Sequence, residues 1–362
     1  MFVHKLLLDK FRIHTQFLIE FTKQTTVLVG LNGSGKTSVI EALQLLATGN
    51  SFRAEKIQEM VSFGSELGRV KAKVSLEPTG ESAEQQQLEV ILTKGSVNGR
   101  KTPFRVFSVN DVRRQKRTAT GILKVVSFRP EDMRLVEGSP SRRRSFIDMP
   151  LLLLYPEYEQ ALSQYEDLLK RRNKLLEAVR EREQPRTVLQ YWNNGVLKQG
   201  SIIQEYRRKF FEYFATVAFP YTFSIDYKPS LITAERQAEY IDREIASGHS
   251  LIGPHKDDFS VYMPNARTEE GQIDIAVYGS RGQQRLAVLW LKTVELSYIL
   301  HITNELPILL LDDILSELDP ESRELVVQLL GKTQSVITTT EAIGVELFQE
   351  KLSADAVQVI EL

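Results

Sequence analysis

One segment fixes what this chain must contain when it folds: a glycine-rich phosphate-binding loop. Its residues are Gly30, Leu31, Asn32, Gly33, Ser34, Gly35, Lys36 and Thr37. An apolar run at residues 27–29 precedes the loop and a helix-like segment follows it, which is the strand-loop-helix context that this motif requires. In such loops the glycines let successive N–H groups converge on phosphates, and the helix adds its positive end. The sequence therefore predicts an α/β fold that binds a nucleoside triphosphate.

The loop side chains have separate roles in binding the triphosphate. Lys36 is expected to reach the β- and γ-phosphates, and the Thr37 hydroxyl to ligate Mg²⁺, which neutralises charge during phosphoryl transfer. Asn32 is a loop side chain able to reach the γ-phosphate. The alternative is a glycine-rich turn formed by chance, which requires neither the four fixed positions nor the flanking strand and helix.

A pair of carboxylates stands near the other end of the chain. The apolar residues 307–311 lead directly into Asp312 and Asp313, as in a buried strand that carries acids to the carboxyl edge of a sheet. We expect Asp312 to hold Mg²⁺ and Asp313 to orient and deprotonate the attacking water. The alternative for Asp313 is a helix N-cap or loop acid. With the phosphate loop, the pair predicts hydrolysis with Lys36, Asp312 and Asp313 as catalytic residues.

Composition excludes several other kinds of site. The 362 residues include no cysteine and five scattered histidines, so no disulfide or zinc-thiolate site can form. This length suggests roughly two domains. The N-terminal segment lacks a signal-peptide pattern, and no apolar run approaches the length of a membrane span. We therefore expect a cytoplasmic protein without a membrane partner.

Charge is balanced overall but unevenly distributed. Lys and Arg number 46 against 47 Asp and Glu, so bulk electrostatics do not predict a nucleic-acid partner. Residues 100–117 nevertheless carry seven basic side chains and one acid, Asp111, and Arg142, Arg143 and Arg144 follow. Such runs are either a binding surface or ordinary solvated surface. Both interpretations stay open at this point.

Periodicity predicts a nucleotide-binding core beside an antiparallel β portion. Apolar and alternating residues predict strands at residues 6–11, 17–21, 27–29, 70–76 and 88–92. A helix is predicted from Lys36 to about Thr48, with Gly49 as its stop. Asn98 and Gly99 are a strong hairpin-turn signal.

The middle of the chain changes to a helical period. Apolar residues at three- to four-residue spacing predict two long amphipathic helices, within residues 156–185 and 188–220. A short polar turn with a proline joins them, so they are expected to pair as an αα-hairpin. Gly195 and Gly200 weaken the second helix. Its aromatic stripe is interpreted as packing rather than as a ligand site.

The segment that opens the apolar helix at residues 286–300 resembles a known motif. Ser280, Arg281, Gly282 and Gln283 are similar to the signature motif of the ABC ATPase superfamily, with arginine in place of its first glycine. Ser316, Glu317, Leu318 and Asp319 resemble the D-loop of that superfamily, which lies along the dimer seam. The resemblance implies that the signature serine and its helix end meet the γ-phosphate held by the opposite subunit. It thus implies an ATP-dependent homodimer.

A narrower resemblance covers almost the full length of the chain, in the same order. Residues 8–12, 46–53, 128–132, 138–144, 253–258 and 280–285, with the phosphate loop, resemble the RecF family of bacterial recombination proteins. The resemblance implies an ABC-type ATPase head related to SMC and Rad50 heads, bearing a short helical lobe instead of a long coiled coil. We expect residues 1–149 and 250–362 to form the head and residues 150–249 the helical lobe with its paired helices.

The RecF resemblance also implies a function. It implies ATP-dependent dimerisation on double-stranded and gapped DNA without sequence preference, and weak, DNA-stimulated ATP hydrolysis that resets the dimer. It further implies recruitment of RecR, recombinase loading at single-strand gaps and a role in the SOS response. None of these partners can be read from composition or periodicity.

Further residues take their roles from the same resemblance. Arg12 resembles the arginine that related ATPases place near bound nucleotide. Thr338, Thr339 and Thr340 stand where transporter-type members carry a switch histidine, so a threonine is expected to donate a hydrogen bond there. His255 has no recognisable nucleophile beside it, and we expect it to hydrogen-bond a loop in a structural or signalling role.

Two other classes of protein share part of this pattern. The ATPase subunit of an ABC transporter has the loop, the signature and the paired acids, but the missing switch histidine and the long helical insertion argue against it. A small-molecule kinase has no use for the signature or the D-loop. The combination favours a RecF-type ATPase over both.

Overall fold

The protein is a mixed α/β chain, described from a computed structural model. The structure describes residues 1–77, 85–269, 271–314, 317–340, 348–352 and 354–362. Its strands are β1 (Phe2–Phe11), β2 (His14–Glu20), β3 (Thr25–Val29), β4 (Leu67–Ser75), β5 (Gln86–Thr93), β6 (Ser96–Val97), β7 (Arg100–Lys101), β8 (Arg105–Val109), β9 (Val112–Arg114), β10 (Val125–Phe128), β11 (Ser224–Lys228), β12 (Asp258–Pro264), β13 (Gln272–Asp274), β14 (Ile308–Asp312), β15 (Ser335–Thr339) and β16 (Val357–Glu361). Its helices are α1 (Lys36–Thr48), α2 (Lys116–Ala119), α3 (Pro140–Leu154), α4 (Pro156–Arg180), α5 (Leu189–Tyr213), α6 (Ala234–Ser247), α7 (Ile275–Tyr278), α8 (Arg281–Thr303) and α9 (Pro320–Leu330).

The described elements fall into two compact units. The first comprises Met1–Met133 and Leu291–Leu362, and the second comprises Arg134–Trp290. The boundary on the C-terminal side falls within α8. The division into an ATPase head and a helical lobe that the sequence suggests stays a prediction about function.

A parallel sheet in the first unit holds the phosphate loop. Its strand order is β10-β14-β15-β3-β16, and every described pairing in it is parallel. Both faces of such a sheet are covered, which requires nearly continuous apolar strands. The strands β14 and β15 are accordingly buried along their whole length. Since β15 lies between β14 and β3, the acids after β14 and the loop after β3 meet at one edge of the sheet.

The first unit also contains an antiparallel sheet, as the alternating pattern predicts. Its order is β2-β1-β4-β5-β8-β9. Leu8 pairs with Val70, and Val90 pairs with Phe107, so one face of the sheet is apolar and buried. The predicted hairpin turn is confirmed: Asn98 and Gly99 join β6 to β7 with φ angles of 49° and 74°.

The predicted αα-hairpin is confirmed in the second unit. α4 and α5 pack side by side, and Arg172 Nε on α4 donates to Asn193 Oδ1 on α5 at 2.8 Å. α5 is continuous through both of its glycines. A Cβ at Gly200 would lie 2.9 Å from Ile232 Cγ2, so glycine there permits close packing. α5 ends at Tyr213, earlier than predicted, and a 3₁₀ turn completes it at Thr216.

Helix α8 is long and apolar enough, by length and composition alone, to cross a membrane. Of its most apolar 18-residue window, 61% is buried inside the protein. A core helix of a soluble protein has the same properties, so α8 is weak support for a membrane span.

Candidate nucleotide-binding site

The phosphate loop adopts a conformation that depends on its glycines. Gly33 and Gly35 have φ angles of 87° and 102°, values that side chains disfavour. A Cβ on Gly35 would also lie 2.4 Å from His14 Nε2. Lys36 opens helix α1 immediately afterwards. The strand, the turn and the helix N-terminus are therefore arranged as the motif requires.

The loop contains polar groups directed at its own backbone or left without a partner. The Lys36 ammonium donates to the Gly30 and Leu31 carbonyls at 2.6 and 2.9 Å and is 6% exposed. Ser34 Oγ is buried and makes no hydrogen bond to a described residue. An unsatisfied buried hydroxyl costs about 1–3 kcal/mol. A phosphate oxygen at the loop would accept from the Ser34 hydroxyl and attract the ammonium, so the residues present fit a bound polyphosphate.

The predicted Mg²⁺ ligands lie together. Thr37 Oγ1 donates to Asp312 Oδ1 at 2.9 Å, and Thr338 Oγ1 donates to the same oxygen at 2.8 Å. Burial raises the pKa of Asp312, and the negative charges of Glu131 and Asp313 act in the same direction, while the two hydroxyl donors oppose them. A hydroxyl and a carboxylate are the oxygen donors that Mg²⁺ prefers.

These donors alone do not form a protein-only metal cage. Across the described part of the chain, no three His, Asp or Glu side chains are grouped to hold a metal ion. Mg²⁺ usually keeps several waters and binds through one or two protein groups plus substrate phosphates. The pair Thr37 and Asp312 fits that mode of binding.

Asp313 is held in an unusual backbone conformation. Its φ is 49°, in the left-handed region that non-glycine residues rarely adopt. Its N–H lies 2.9 Å from Thr338 Oγ1 and 3.2 Å from the Thr338 carbonyl. Asp313 follows the end of strand β14, and the N-cap of the next described α-helix, α9, is Asp319.

The three threonines occupy different environments. Thr338 and Thr339 are buried in β15, opposite Leu28 and Val29 of β3, and Thr340 is exposed just beyond the strand. Thr338 donates to Asp312. Because Val29 leads into Gly30, Thr340 leaves its strand beside the start of the phosphate loop. Of the three, Thr340 is therefore the one positioned at the solvent-facing edge of the site.

Arg12 is engaged by a residue that the sequence did not single out. Its Nε and Nη2 donate to the two carboxylate oxygens of Glu41 on α1 at 2.8 and 2.6 Å, and its Nη1 donates to the Glu59 carbonyl. The Glu41 side chain is fully buried. Ser51 Oγ donates to the same carboxylate. Arg12 is thus fixed against the helix that follows the phosphate loop.

Two further residues near the site were missed by sequence reasoning. His14 Nε2 donates to the Gly35 carbonyl at 3.2 Å, and burial lowers the pKa of His14. Glu131 follows β10, the strand beside β14, and its charge raises the pKa of Asp312. Glu131 lies in the segment 128–132 that resembles the RecF family, but its approach to Asp312 depends on strand pairing across the sheet, as does the contact of His14 with the loop.

The signature segment belongs to the second unit, where it caps a helix. Ser280 N donates to Gln283 Oε1 at 2.8 Å and Gln283 N donates to Ser280 Oγ at 3.3 Å. This reciprocal pair is a capping box. Ser280 and Arg281 are exposed at the N-terminal end of α8. The segment is therefore a rigid, solvent-facing helix N-terminus.

The D-loop is described only in part. Ser316 lies outside the described residues. Glu317 N donates to the Ile314 carbonyl at 3.0 Å, Leu318 is buried, and Asp319 accepts from Ser322 N at 2.9 Å. Asp319 is thus the N-cap of α9.

Comparisons with known proteins agree with this geometry. The family described as RecF/RecN/SMC N terminal domain matches residues 2–355. A protein of Bacillus cereus (strain G9842), "DNA replication and repair protein RecF", is 33% identical over 96% of this chain and 94% of its own length. The chain belongs to the RecF family. A RecF of Bacillus cytotoxicus is 32% identical over the same shares.

Solved structures of RecF proteins have the same fold. The structure of "the recombination mediator protein RecF-ATPrS in RecFOR pathway" matches with a TM-score of 0.83 and 26% identity, covering 100% of this chain and 96% of that one. The RecF-ATP structure matches with a TM-score of 0.79 and 28% identity, covering 94% and 92%. An Smc head domain from Pyrococcus furiosus, at 17% identity and a TM-score of 0.50, covers 99% and 93% and supports the fold alone. The predicted ABC-type ATPase head fold, related to SMC heads, is confirmed.

Proposed function

We propose that this chain is an ATPase of DNA repair, in which ATP closes a homodimer on DNA and slow hydrolysis reopens it. The observation that carries the proposal is the Asp312 carboxylate, held by Thr37 of the phosphate loop at 2.9 Å and by Thr338 at 2.8 Å. Its support from relatives is their description as DNA replication and repair proteins and the RecF-ATP structure.

The residues of the first unit take the following roles in hydrolysis. Lys36 binds the β- and γ-phosphates after leaving the Gly30 and Leu31 carbonyls. Thr37 and Asp312 are the side chains that would hold Mg²⁺, which when bound neutralises phosphate charge. Asp313 orients the attacking water and accepts its proton. We propose that Arg12 and Asn32 help to position the phosphates.

One feature of the second unit supports the homodimer part of the proposal. Ser280, Arg281, Gly282 and Gln283 present a capped helix N-terminus to solvent, and such an end favours anions. We propose that it meets the γ-phosphate bound by another copy of the chain. Residues 316–319 would lie along the seam between the copies. Nucleotide then acts as the link between two protomers.

The partners and the cellular role are the finer part of the proposal. We propose sequence-independent binding to double-stranded and gapped DNA, DNA stimulation of a weak ATPase, interaction with RecR, recombinase loading and a role in the SOS response, in the cytoplasm. We further propose that residues 1–149 and 250–362 act as the ATPase head and residues 150–249 as the helical lobe.

Sedimentation of the purified chain tests the central step. Wild type and Lys36→Met are compared without nucleotide, with ADP and with a non-hydrolysable ATP analogue, each with and without gapped duplex DNA. We expect a wild-type dimer only with the analogue, more stable on DNA, and a Lys36→Met monomer throughout. A wild-type protomer that stays monomeric at high concentration with analogue and DNA overturns the proposal. DNA affinity that is equal with and without nucleotide would contradict the proposal that ATP controls DNA binding.

A further inference from the structure

The two basic runs of the sequence have different environments. Arg143 donates to both carboxylate oxygens of Asp258, at 2.5 and 2.8 Å, and Arg144 donates to the Asp257 carbonyl at 3.1 Å. All four residues belong to the second unit. Arg143 and Arg144 of this run therefore serve the internal structure of that unit.

Five cations of the earlier run, at residues 100–117, have no counter-charge among the described residues. Arg100, Lys101, Arg113, Arg114 and Arg117 are all exposed, and none of them pairs with a carboxylate in the described part of the chain. Asp111, the one acid of the run, contacts residues outside the run. It lies 3.6 Å from Lys71 Nζ and accepts from Gln87 Nε2 at 2.6 Å. Like charges on one surface repel one another unless an anion lies among them.

Two of these cations, Arg113 and Arg114, border a groove in the first unit. They lie on strand β9, which pairs with β8, with Arg113 opposite Ser108 and Arg114 opposite Phe107. The groove has a volume of about 630 Å³, and none of the described residues that line it is a carboxylate. Its basic lining residues are Arg105, Arg113, Arg114 and Lys116.

One arginine that lines the groove is held by hydrogen bonds, and one aromatic ring in the lining is exposed. Arg105 Nη1 donates to the Gly49 carbonyl and to Asn50 Oδ1, which fixes this side chain at the end of α1. Phe104, in the lining, is 46% exposed. Exposed arginines beside an aromatic ring suit a ligand that carries regularly spaced phosphates and bases.

We propose that this groove, lined by Phe104, Arg105, Arg113, Arg114 and Lys116, binds the sugar-phosphate backbone of DNA. The proposal rests on the proposed function, because it names the surface of this chain that touches its DNA. Arginines at the groove neutralise phosphates without reading base edges, which gives sequence-independent affinity. Each neutralised phosphate releases counterions. The logarithm of the binding constant therefore falls with the logarithm of the salt concentration, with a slope of about −0.9 per phosphate contact for B-DNA.

Fluorescence anisotropy of a labelled gapped duplex tests the groove, with the full chain and a non-hydrolysable ATP analogue at several salt concentrations. The double variant Arg113→Gln/Arg114→Gln removes two positive charges from the groove. The control Lys170→Gln/Lys174→Gln removes the same charge from exposed positions on α4. We expect the groove variant to lose affinity about tenfold or more and its salt slope to shrink by about two contacts. The control should bind like wild type, and Arg113→Lys/Arg114→Lys should restore the slope.

The outcomes separate this inference from the proposed function. If wild type fails to bind DNA, both fail. If wild type binds and the groove variant binds equally well with an unchanged slope, the groove assignment alone is wrong. If the variant keeps its DNA affinity but loses binding to polyglutamate, the groove takes an acidic protein and the proposal is overturned. If it keeps its DNA affinity but aggregates, the arginines instead prevent β9, at the edge of its sheet, from pairing with other chains. DNA-independent ATPase activity should match wild type in every soluble variant.

Discussion

The Thr37 hydroxyl donates to Asp312 Oδ1 at 2.9 Å, although 275 positions separate the two residues along the chain. Thr338 donates to the same oxygen. One carboxylate thus joins the end of β14, the start of α1 and the neighbouring strand β15. Burial raises the pKa of this carboxyl. A divalent cation that arrives with the triphosphate would oppose that effect and favour the charged form of the carboxyl.

Replacing Thr338 with valine should impair hydrolysis more than nucleotide binding. The variant removes the hydroxyl that donates to Asp312 and lies 2.9 Å from the Asp313 N–H. We expect a loss of about 1–3 kcal/mol in the free energy of unfolding, because buried polar groups lose a partner. Denaturant titration and steady-state ATPase assays measure the two effects. Thr22→Val, at an exposed position before β3, is the matched control, and an unchanged kcat in Thr338→Val would contradict the assignment.

Replacing Asp313 with asparagine should leave ATP binding intact and slow its cleavage. If Asp313 accepts the proton of the attacking water, the single-turnover rate should fall about 10²–10⁴-fold. The amide keeps the size of the side chain, so the backbone at φ 49° can persist. ATP-loaded dimer should accumulate in sedimentation. A cleavage rate within a factor of a few of wild type would assign the proton acceptor elsewhere.

Replacing Lys36 with methionine should remove most of the nucleotide affinity. Methionine keeps most of the length of the side chain but removes the ammonium of Lys36, a residue that is 6% exposed at the loop. Charge-assisted hydrogen bonds contribute about 1.5–3 kcal/mol each, which predicts a rise in Kd of at least about tenfold. Calorimetric titration with an ATP analogue measures the change. Tight binding by this variant would contradict the role of Lys36.

The parts of the site that depend on local sequence were predictable. The helix predicted from Lys36 to about Thr48 is α1, with Gly49 as its left-handed C-cap. The apolar run that ends in Asp312 is β14. Both predictions rest on spacing within a few residues, where the physics of strands, turns and helix ends operates.

The contacts between distant segments were not predictable in the same way. Arg12 binds Glu41, 29 positions away, and His14 donates to the Gly35 carbonyl, 21 positions away. These partners meet only after the strands have paired. The capping box of Ser280 and Gln283 is different, because its spacing is a local signal. The two basic runs looked alike in sequence, and only the position of Asp258 beside Arg143 separates them.

Removing the Arg207 guanidinium should strongly destabilise the second unit. Arg207 is 2% exposed and donates to Asp148 at 2.7 Å and to the fully buried Asp257 at 2.9 Å. In Arg207→Met the buried Asp257 and the partly buried Asp148 lose their cation, which costs about 3–5 kcal/mol. Thermal and denaturant unfolding measure the loss. Arg208→Met, whose partners are exposed glutamates, is the control. Equal stability of the two variants would contradict the importance of the buried network.

The second unit should lose stability in acid through His255. Burial lowers the pKa of His255 to about 4, and the nearby charges of Lys256 and Arg144 act in the same direction. Because His255 Nε2 faces the Ser250 carbonyl at 3.2 Å, Nδ1 accepts from the Tyr165 hydroxyl at 2.7 Å in the neutral ring. The folded state therefore takes up this proton less readily than the unfolded chain, whose histidine titrates at about 6.5.

The sign of the effect follows from that difference. The stabilisation is complete above about pH 6.5 and is lost as the pH falls towards 4, with no further contribution from this group below that value. The total is on the order of 3 kcal/mol. Unfolding free energies of wild type and His255→Gln should be measured from pH 7 to 4. The wild-type curve should fall more steeply than that of the variant, because the amide does not titrate. Parallel curves would mean that His255 is not the group that senses acid in this unit.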